Sequence, residues 1–221
     1  KVLKMQLSRK LNDFMKKLIF LKSKILTIGV FFFYSTSAYP FMSDAKYALL
    51  IDYETNQILY EKNSRKKIYP ASMSKLMTLY VLFDYLENNI ISLDDKIFIS
   101  ENAWRKGGAI SDSSTMFAEV SSYISVENII RGIVIHSGND ACIAISEAIS
   151  GSEEIFSKEM NFYAKKLGMS NTNYTNSTGL HDSNHFSTPY DMTLLAKSLI
   201  RDFPNFYHYF SEKEFTWNGI F

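Results

Sequence analysis

The chain has 221 residues, 46% hydrophobic and 21% charged, which is the composition of a globular rather than a disordered protein. Its net charge of +1 hides an asymmetry, because residues 1–38 carry eight of the 24 basic side chains and one of the 23 acidic ones, which leaves residues 39–221 mildly acidic. This balance argues against nucleic acid as a partner, and the single cysteine with four scattered histidines argues against a disulfide, a metal site or another cofactor.

The N-terminal segment has the order of a secretory signal peptide. Basic residues follow Met15, an apolar run covers 25–34, and small residues at 35–38 precede Tyr39. An uncleaved membrane anchor is the alternative, but this run is short for a bilayer span. We therefore expect a true start at Met15, cleavage after Ala38 and an exported protein, with residues 1–38 as signal peptide and upstream residues.

The mature chain opens with a predicted β-hairpin, in which 46–52 and 57–61 are the two strands. A helix is predicted from Ser72 to Leu86. Lys75 is its only charged residue before Asp84, and apolar residues surround it on all sides. A helix that is apolar all round is buried, so this helix is expected to cross the core.

Further elements follow from hydrophobic spacing and cap residues. Residues 88–121 are mixed, and we expect loops with short elements there. The later helices are predicted over 126–134 with Ser125 as N-cap, over 140–150, over 153–167 with Gly168 as the stop, and from Thr188-Pro189 to about Asp202. Residues 215–221 are predicted to form a strand.

A Ser-x-x-Lys pattern occurs three times, at Ser43…Lys46, Ser64…Lys67 and Ser72…Lys75. Only Ser72 and Lys75 open a predicted buried helix, where positions i and i+3 share a face. Burial disfavours the charged form of a lysine and lowers its pKa, as a catalytic base requires. The backbone N–H of Ser72 could also stabilise an oxyanion. The alternative is a lysine that reaches solvent beside an ordinary N-cap serine.

Ser137-Gly138-Asn139 lies on the tight turn between two predicted helices, where a hydroxyl and an amide can face a cleft. An ordinary helix connection would use the same residue types, and Ser100–Asn102 repeats the Ser-x-Asn spacing. Together with Ser72 and Lys75, however, the triplet indicates a penicillin-recognising serine enzyme, because enzymes of that class combine these two motifs.

Three segments carry a resemblance to one family: Tyr69-Pro-Ala-Ser-Met-Ser-Lys-Leu-Met-Thr78, Arg131-Gly-Ile-Val-Ile-His-Ser-Gly-Asn-Asp-Ala141 and His185-Phe-Ser-Thr-Pro-Tyr-Asp-Met192. They resemble the low-molecular-mass penicillin-binding proteins, which are D-alanyl-D-alanine carboxypeptidases of serine peptidase family S11. The likeness covers about Lys46 to Phe221. It implies an α/β (α+β) penicillin-binding/β-lactamase-like transpeptidase fold, with a helical subdomain and an incomplete antiparallel sheet.

The resemblance also implies the roles of four residues. Ser72 is the nucleophile that attacks the bond between the two terminal D-alanines of a peptidoglycan pentapeptide, and Lys75 is the general base. Ser137 relays a proton to the leaving D-alanine, and Asn139 binds the substrate and holds Lys75. Water releases the acyl-enzyme, and β-lactams are covalent inhibitors at the same serine. The expected setting is cell-wall synthesis and remodelling in the periplasm, or on the outer face of the cytoplasmic membrane, of a bacterium.

The sequence departs from the family at its third motif, because no Lys-Thr-Gly occurs. Ser177-Thr178-Gly179 is set aside as a decoy, since it lacks the cation and precedes the helix that should lie before the true motif. We therefore expect residues 39–221 to be the N-terminal part of the catalytic domain, with the C-terminal part missing and poor activity. We likewise expect the family's second domain and its C-terminal membrane anchor to be missing.

Two other readings stay open. One is a truncated, catalytically impaired protein that keeps part of the fold. The other, less favoured, is a class A β-lactamase, which needs a glutamate on a loop after the second motif, whereas Glu153, Glu154 and Glu159 fall in a predicted helix. Structural roles are expected for the remaining candidates, which are His136, Cys142, His181 and His185.

Overall fold

The computed structural model describes residues 10, 12–22 and 42–220. Residues 12–22 are helical and belong to a unit that ends at Met42, and residues 43–221 form a second unit. The predicted apolar run at 25–34 and the cleavage site after Ala38 lie outside the described residues. Within the described part of the chain, no helix is long and apolar enough to cross a membrane.

The predicted hairpin at the start of the second unit is confirmed. Strands β1 (Ala48–Ile51) and β2 (Ile58–Lys62) pair antiparallel, with an irregularity in register between Leu50 and Ile51. Asp52 closes the turn, because its Oδ1 accepts hydrogen bonds from both the backbone N–H and the hydroxyl of Thr55 at 2.7 Å. A second antiparallel pair, β3 (Lys96–Phe98) and β4 (Tyr123–Ser125), lies in the region where only short elements were expected.

Five of the six α-helices described in residues 43–220 lie close to their predicted positions, and the short helix Glu101–Gly107 falls in the region where only loops with short elements were expected. The six helices are α1 (Lys75–Glu87), α2 (Glu101–Gly107), α3 (Val126–Val134), α4 (Asn139–Ser150), α5 (Glu153–Lys166) and α6 (Pro189–Asp202). Side chains of Ser125, Ser152 and Thr188 accept hydrogen bonds from backbone N–H groups in the first turns of α3, α5 and α6.

Helix α1 crosses the core, as predicted, and packs against α4, α5 and α6. Its residues from Met77 to Phe83 are all buried, so it shows no exposed face there. The start differs from the prediction, because Ala71–Ser74 form a 3₁₀ turn and the α-helix begins at Lys75. Ala71 has a φ of 50°, a left-handed backbone conformation that turns the chain sharply after Pro70. Ser72 therefore lies on this tight turn ahead of α1.

Helix α2 approaches the start of α4 very closely at Gly107. A Cβ atom at this position would lie 2.3 Å from the backbone nitrogen of Asp140, so only glycine permits the contact. This packing fixes the N-terminal turn of α4, which carries Asn139.

The predicted strand over 215–221 is wrong for the part that the structure describes. Trp217 and Ile220 form an isolated antiparallel bridge around Asn218 and Gly219, whose φ angles are 49° and 71°. Two successive left-handed residues make a tight reversal, so Asn-Gly acts as a turn signal that outweighs the apolar neighbours.

Candidate active site

A cleft of about 540 Å³ opens beside the 3₁₀ turn. One wall comes from residues 69–72, a second from 112–114 with Asn139, and a third from 178–182 with His185. These segments come from separate parts of the sequence, and the fold brings them together around Ser72. Among the described residues, no group of three His, Cys, Asp or Glu side chains is placed to hold a metal ion.

Ser72, which lines this cleft, forms a polar pair with the buried Lys75 behind it. The Nζ of Lys75 lies 3.2 Å from the Oγ of Ser72, and the lysine is only 4% exposed. Its ammonium also donates a 2.8 Å hydrogen bond to the backbone carbonyl of Thr178. Burial lowers the pKa of Lys75, although the negative charge of nearby Asp140 acts in the opposite direction. The lysine therefore does not reach solvent, which rules out the alternative of an exposed, snorkelling side chain.

The other two Ser-x-x-Lys patterns form no such pair. Ser64 donates its hydroxyl hydrogen bond to Glu61, and the ammonium of Lys67 lies 3.7 Å from the centre of the Phe186 ring. The Oγ of Ser43 accepts a hydrogen bond from the backbone N–H of Ala45. Of the three patterns, only Ser72 and Lys75 have a hydrogen bond between the serine and the lysine among the described residues.

Asn139 lines the cleft from the first turn of α4 and is 4% exposed. Its backbone N–H donates to the carbonyl of Ser114 at 2.8 Å, and its Nδ2 donates to the Oγ of Ser113 at 3.0 Å. Its Oδ1 is buried and has no partner within the described residues. One implied contact is not found, because Lys75 is bonded to the carbonyl of Thr178 rather than to Asn139.

The start of α4 is held in place by the buried carboxylate of Asp140. Its Oδ1 accepts from the backbone N–H groups of Met116 and Ala141, and its Oδ2 accepts from the hydroxyl of Thr115 and the N–H of Ala118. A fully buried charge is tolerated when hydrogen bonds of this kind surround it. Asp140 thereby anchors the segment before β4 to the helix that carries Asn139.

Ser137 lies on the turn before α4 with a φ of 54°. It is not among the residues that line the cleft, and within the described residues it makes no hydrogen bond to Ser72 or Lys75. Its role as a proton relay stays a prediction.

Ser177-Thr178-Gly179 belongs to the site, although the sequence analysis set it aside. It contributes backbone rather than a cation, since Thr178 supplies the carbonyl that binds Lys75 and Gly179 lines the cleft. Gly179 has a φ of 81°, and a Cβ atom there would lie 1.9 Å from the carbonyl oxygen of Ala71. The available sequence signal was a glycine in a polar segment, which marks a close backbone approach only once the partner is known.

Structural roles were expected for Cys142 and for three of the histidines, and their surroundings differ. Cys142 is fully buried in the core, as predicted. The Nε2 of His136 lies 2.8 Å from the carbonyl oxygen of Phe215, and His181 contacts the ring of Tyr69 edge-on at the cleft. His185 lies in a loop, where it is 2% exposed and lines the cleft.

Comparison with known proteins adds independent information. A model of peptidase family S11, described as D-alanyl-D-alanine carboxypeptidase, matches residues 35–221. The chain is 43% identical over 178 residues to the D-alanyl-D-alanine carboxypeptidase DacC of Escherichia coli, covering 80% of this chain and 44% of that protein. It therefore spans less than half the length of this curated relative.

Solved structures give the same picture. Penicillin-binding protein 5 of Haemophilus influenzae superposes with a TM-score of 0.79 at 38% identity, covering 83% of this chain and 53% of that one. The ampicillin-bound form of penicillin-binding protein D2 of Listeria monocytogenes gives a TM-score of 0.64 at 31% identity, covering 75% and 65% of the two chains. The expected penicillin-binding fold is thus confirmed.

Proposed function

The chain belongs to the D-alanyl-D-alanine carboxypeptidase family, and we propose that it is the part of such an enzyme that supplies the nucleophile and its base. The substrate class is the peptidoglycan pentapeptide, from which the terminal D-alanine is removed. The observation that carries this proposal is the 3.2 Å contact between the hydroxyl of Ser72 and the buried ammonium group of Lys75.

Acylation follows from this geometry. Burial increases the fraction of Lys75 that is neutral, and the neutral amine accepts the proton of the Ser72 hydroxyl. The Ser72 oxygen then forms a bond to the carbonyl carbon between the two D-alanines. The backbone N–H of Ser72, in the first turn of a helix, has no intrahelical partner and can donate to the developing oxyanion. The carbon–nitrogen bond breaks, the leaving nitrogen receives a proton, and water later hydrolyses the ester on Ser72.

Two further residues have proposed roles beside the nucleophile. Asn139 lines the cleft, and its buried Oδ1 has no partner among the described residues, which suits an N–H donor from the substrate peptide. Ser137 is proposed to pass the proton to the leaving amine, on the strength of its place in the Ser-x-Asn motif. Lys-Thr-Gly does not occur in this sequence, and we assign the binding of the substrate's terminal carboxylate to no residue of this chain.

The proposal extends to β-lactams and to location. A relative at 31% identity has been solved in its ampicillin-bound form, so we expect β-lactams to acylate Ser72 here. Peptidoglycan lies outside the cytoplasmic membrane, and the basic, apolar and small residues over 15–38 support export to the periplasm or to the outer face of the cytoplasmic membrane.

A fluorescent penicillin tests this function directly. We expect covalent labelling of the wild-type chain and none of Ser72→Ala, whereas Ser64→Ala, at the matched position of another Ser-x-x-Lys pattern, should label normally. Release of D-alanine from a pentapeptide should depend on Ser72 in the same way. Labelling of Ser72→Ala at the wild-type level would overturn the assignment.

A further inference from the structure

A loop over residues 174–185, here called the 174–185 loop, forms one wall of the cleft. It is closed at its base by two backbone hydrogen bonds between Asn173 and Phe186, of 2.9 and 3.0 Å. Its middle carries Thr178, whose carbonyl accepts the hydrogen bond of Lys75. The position of this loop therefore decides whether the buried ammonium group has a backbone acceptor in addition to the Oγ of Ser72.

The tip of the loop is held by several polar contacts. The Oδ1 of Asn176 accepts from the backbone N–H groups of Thr178 and Gly179, which closes a tight turn. The carboxylate of Glu153 accepts from the N–H and hydroxyl of Ser177, and the hydroxyl of Thr78 donates to the Ser177 carbonyl at 2.6 Å. These contacts fasten the tip to α5 and α1, but they do not reach the turn that carries Ser72.

His185 makes that connection. Its Nε2 lies 2.7 Å from the Oγ of Ser74, which belongs to the same 3₁₀ turn as Ser72. Its Nδ1 lies 3.2 Å from the backbone nitrogen of Thr175, at the other end of the loop. The ring also packs edge-on against Tyr174. One buried side chain thus contacts both ends of the loop and the turn of the nucleophile.

The hydrogen-bond partners define the form of the ring. The backbone N–H of Thr175 can only donate, so Nδ1 must be the unprotonated acceptor and Nε2 carries the hydrogen that is donated to Ser74. A doubly protonated ring would place two donors against each other at Thr175, and burial lowers the pKa of His185 as well. In this tautomer Nε2 cannot take a proton from Ser74. The pair is therefore not a second serine–histidine nucleophile.

We propose that His185 is a positioning residue, which ties the loop that supplies the acceptor of Lys75 to the turn that carries Ser72. The inference deepens the proposed function, because it concerns the same Ser72–Lys75 site. Without this contact, Ser177 still fastens the tip of the loop to α1 and α5, but the side of the loop that faces the 3₁₀ turn loosens and water gains access to Lys75. Loss of burial would then raise the pKa of Lys75 and leave less neutral amine to accept the serine proton.

The test is a titration of Lys75 by NMR in the full chain, with lysines labelled with carbon-13 at Cε and the Lys75 signal assigned through Lys75→Arg. In His185→Ala we expect the pKa of Lys75 to rise by roughly one unit or more, with a fall of about tenfold in the penicillin acylation rate at neutral pH. His185→Gln keeps a donor for Ser74 and should restore much of both values. His208→Ala, at an exposed histidine bonded to the carbonyl of Asn205, is the matched control and should change neither.

An unchanged titration of Lys75 in a folded His185→Ala variant would overturn the proposal. Should that variant fail to fold, Ser74→Ala decides the question, because it removes the acceptor of His185 with a smaller change. An unshifted Lys75 in Ser74→Ala would then overturn the proposal, and a raised pKa would support it. The titration needs no turnover, so a chain that fails to react with penicillin would refute the proposed function and leave this test intact.

Discussion

The ammonium group of Lys75 donates a 2.8 Å hydrogen bond to the carbonyl of Thr178, which lies 103 positions later in the chain. This hydrogen-bond acceptor of the buried ammonium group is thus a backbone carbonyl rather than an opposing charge. A carboxylate at this position would pair with the ammonium and raise its pKa, whereas a neutral carbonyl does so less strongly. The choice of acceptor is thus consistent with a lysine that has to lose its proton.

Replacement of Lys75 by Met should remove the base and keep the packing, because the two side chains are similar in length and shape. General-base catalysis is worth about 10²–10⁴ in rate, so the acylation of Ser72 by a penicillin should fall by that factor. Stopped-flow measurement of acylation checks this. Lys67→Met, in a different Ser-x-x-Lys pattern, should react at the wild-type rate, and wild-type acylation of Lys75→Met would contradict the assignment of the base.

The lowered pKa of Lys75 also predicts how stability depends on pH. The folded chain holds the Lys75 proton more weakly than the unfolded chain, where the pKa is near 10.5. Between the folded pKa and that value the unfolded state binds more protons, so the contribution of Lys75 to the free energy of unfolding should increase as pH rises. Below the folded pKa both states are protonated and the contribution is constant.

Urea unfolding of wild type and Lys75→Met at several pH values isolates this contribution as a difference. The wild type should gain stability relative to the variant towards pH 10. Lys67→Met serves as the control, since removal of an outward-facing lysine should leave the wild-type trend in place. A difference that stays flat across this range, or that falls as pH rises, would show that burial does not depress the pKa of Lys75.

Gly179→Ala tests the close approach between the 174–185 loop and the 3₁₀ turn. Any alanine with a φ near 80° costs about 1 kcal/mol, and Gly168→Ala, with a φ of 79° and open space around it, measures that cost alone. At Gly179 the added carbon would also meet the carbonyl of Ala71, and such overpacking adds about 1–3 kcal/mol. We expect urea unfolding to rank Gly179→Ala well below Gly168→Ala in stability, with slower acylation in the former only. Equal losses in the two variants would contradict the contact.

Asp140→Asn tests the buried anchor of α4. The amide would place a donor against one of the N–H or hydroxyl donors that the carboxylate now satisfies, which should cost about 3 kcal/mol in the free energy of unfolding. Asp95→Asn is the matched control, because Asp95 is exposed and accepts from the N–H of Ser92, and its cost should stay below about 1 kcal/mol. Similar losses in both variants would show that Asp140 is not the anchor.

Local signals in the sequence predicted the larger elements well. Helix caps, periodic apolar residues and the turn after Asp52 act over a few residues, so the hairpin and the helices after Val126 were placed to within about two residues. The short pair β3 and β4 was not foreseen, since its strands are three residues long and meet across 24 intervening residues. The strand expected at 215–221 failed because Asn218-Gly219 reverses the chain.

The same division holds for the site. Ser72 and Lys75 could be identified from the sequence because they are three residues apart at the start of a buried helix, and Asn139 because it follows a recognisable Ser-Gly turn between two helices. The Thr178 carbonyl and the ring of His185 could not, because a backbone atom leaves no trace in residue type and a histidine in a polar segment is ordinary. Only the folded loop, closed between Asn173 and Phe186, brings them to within hydrogen-bond distance of Lys75 and Ser74. Each of these hydrogen bonds is stronger there than in water, because the buried surroundings have a low dielectric constant.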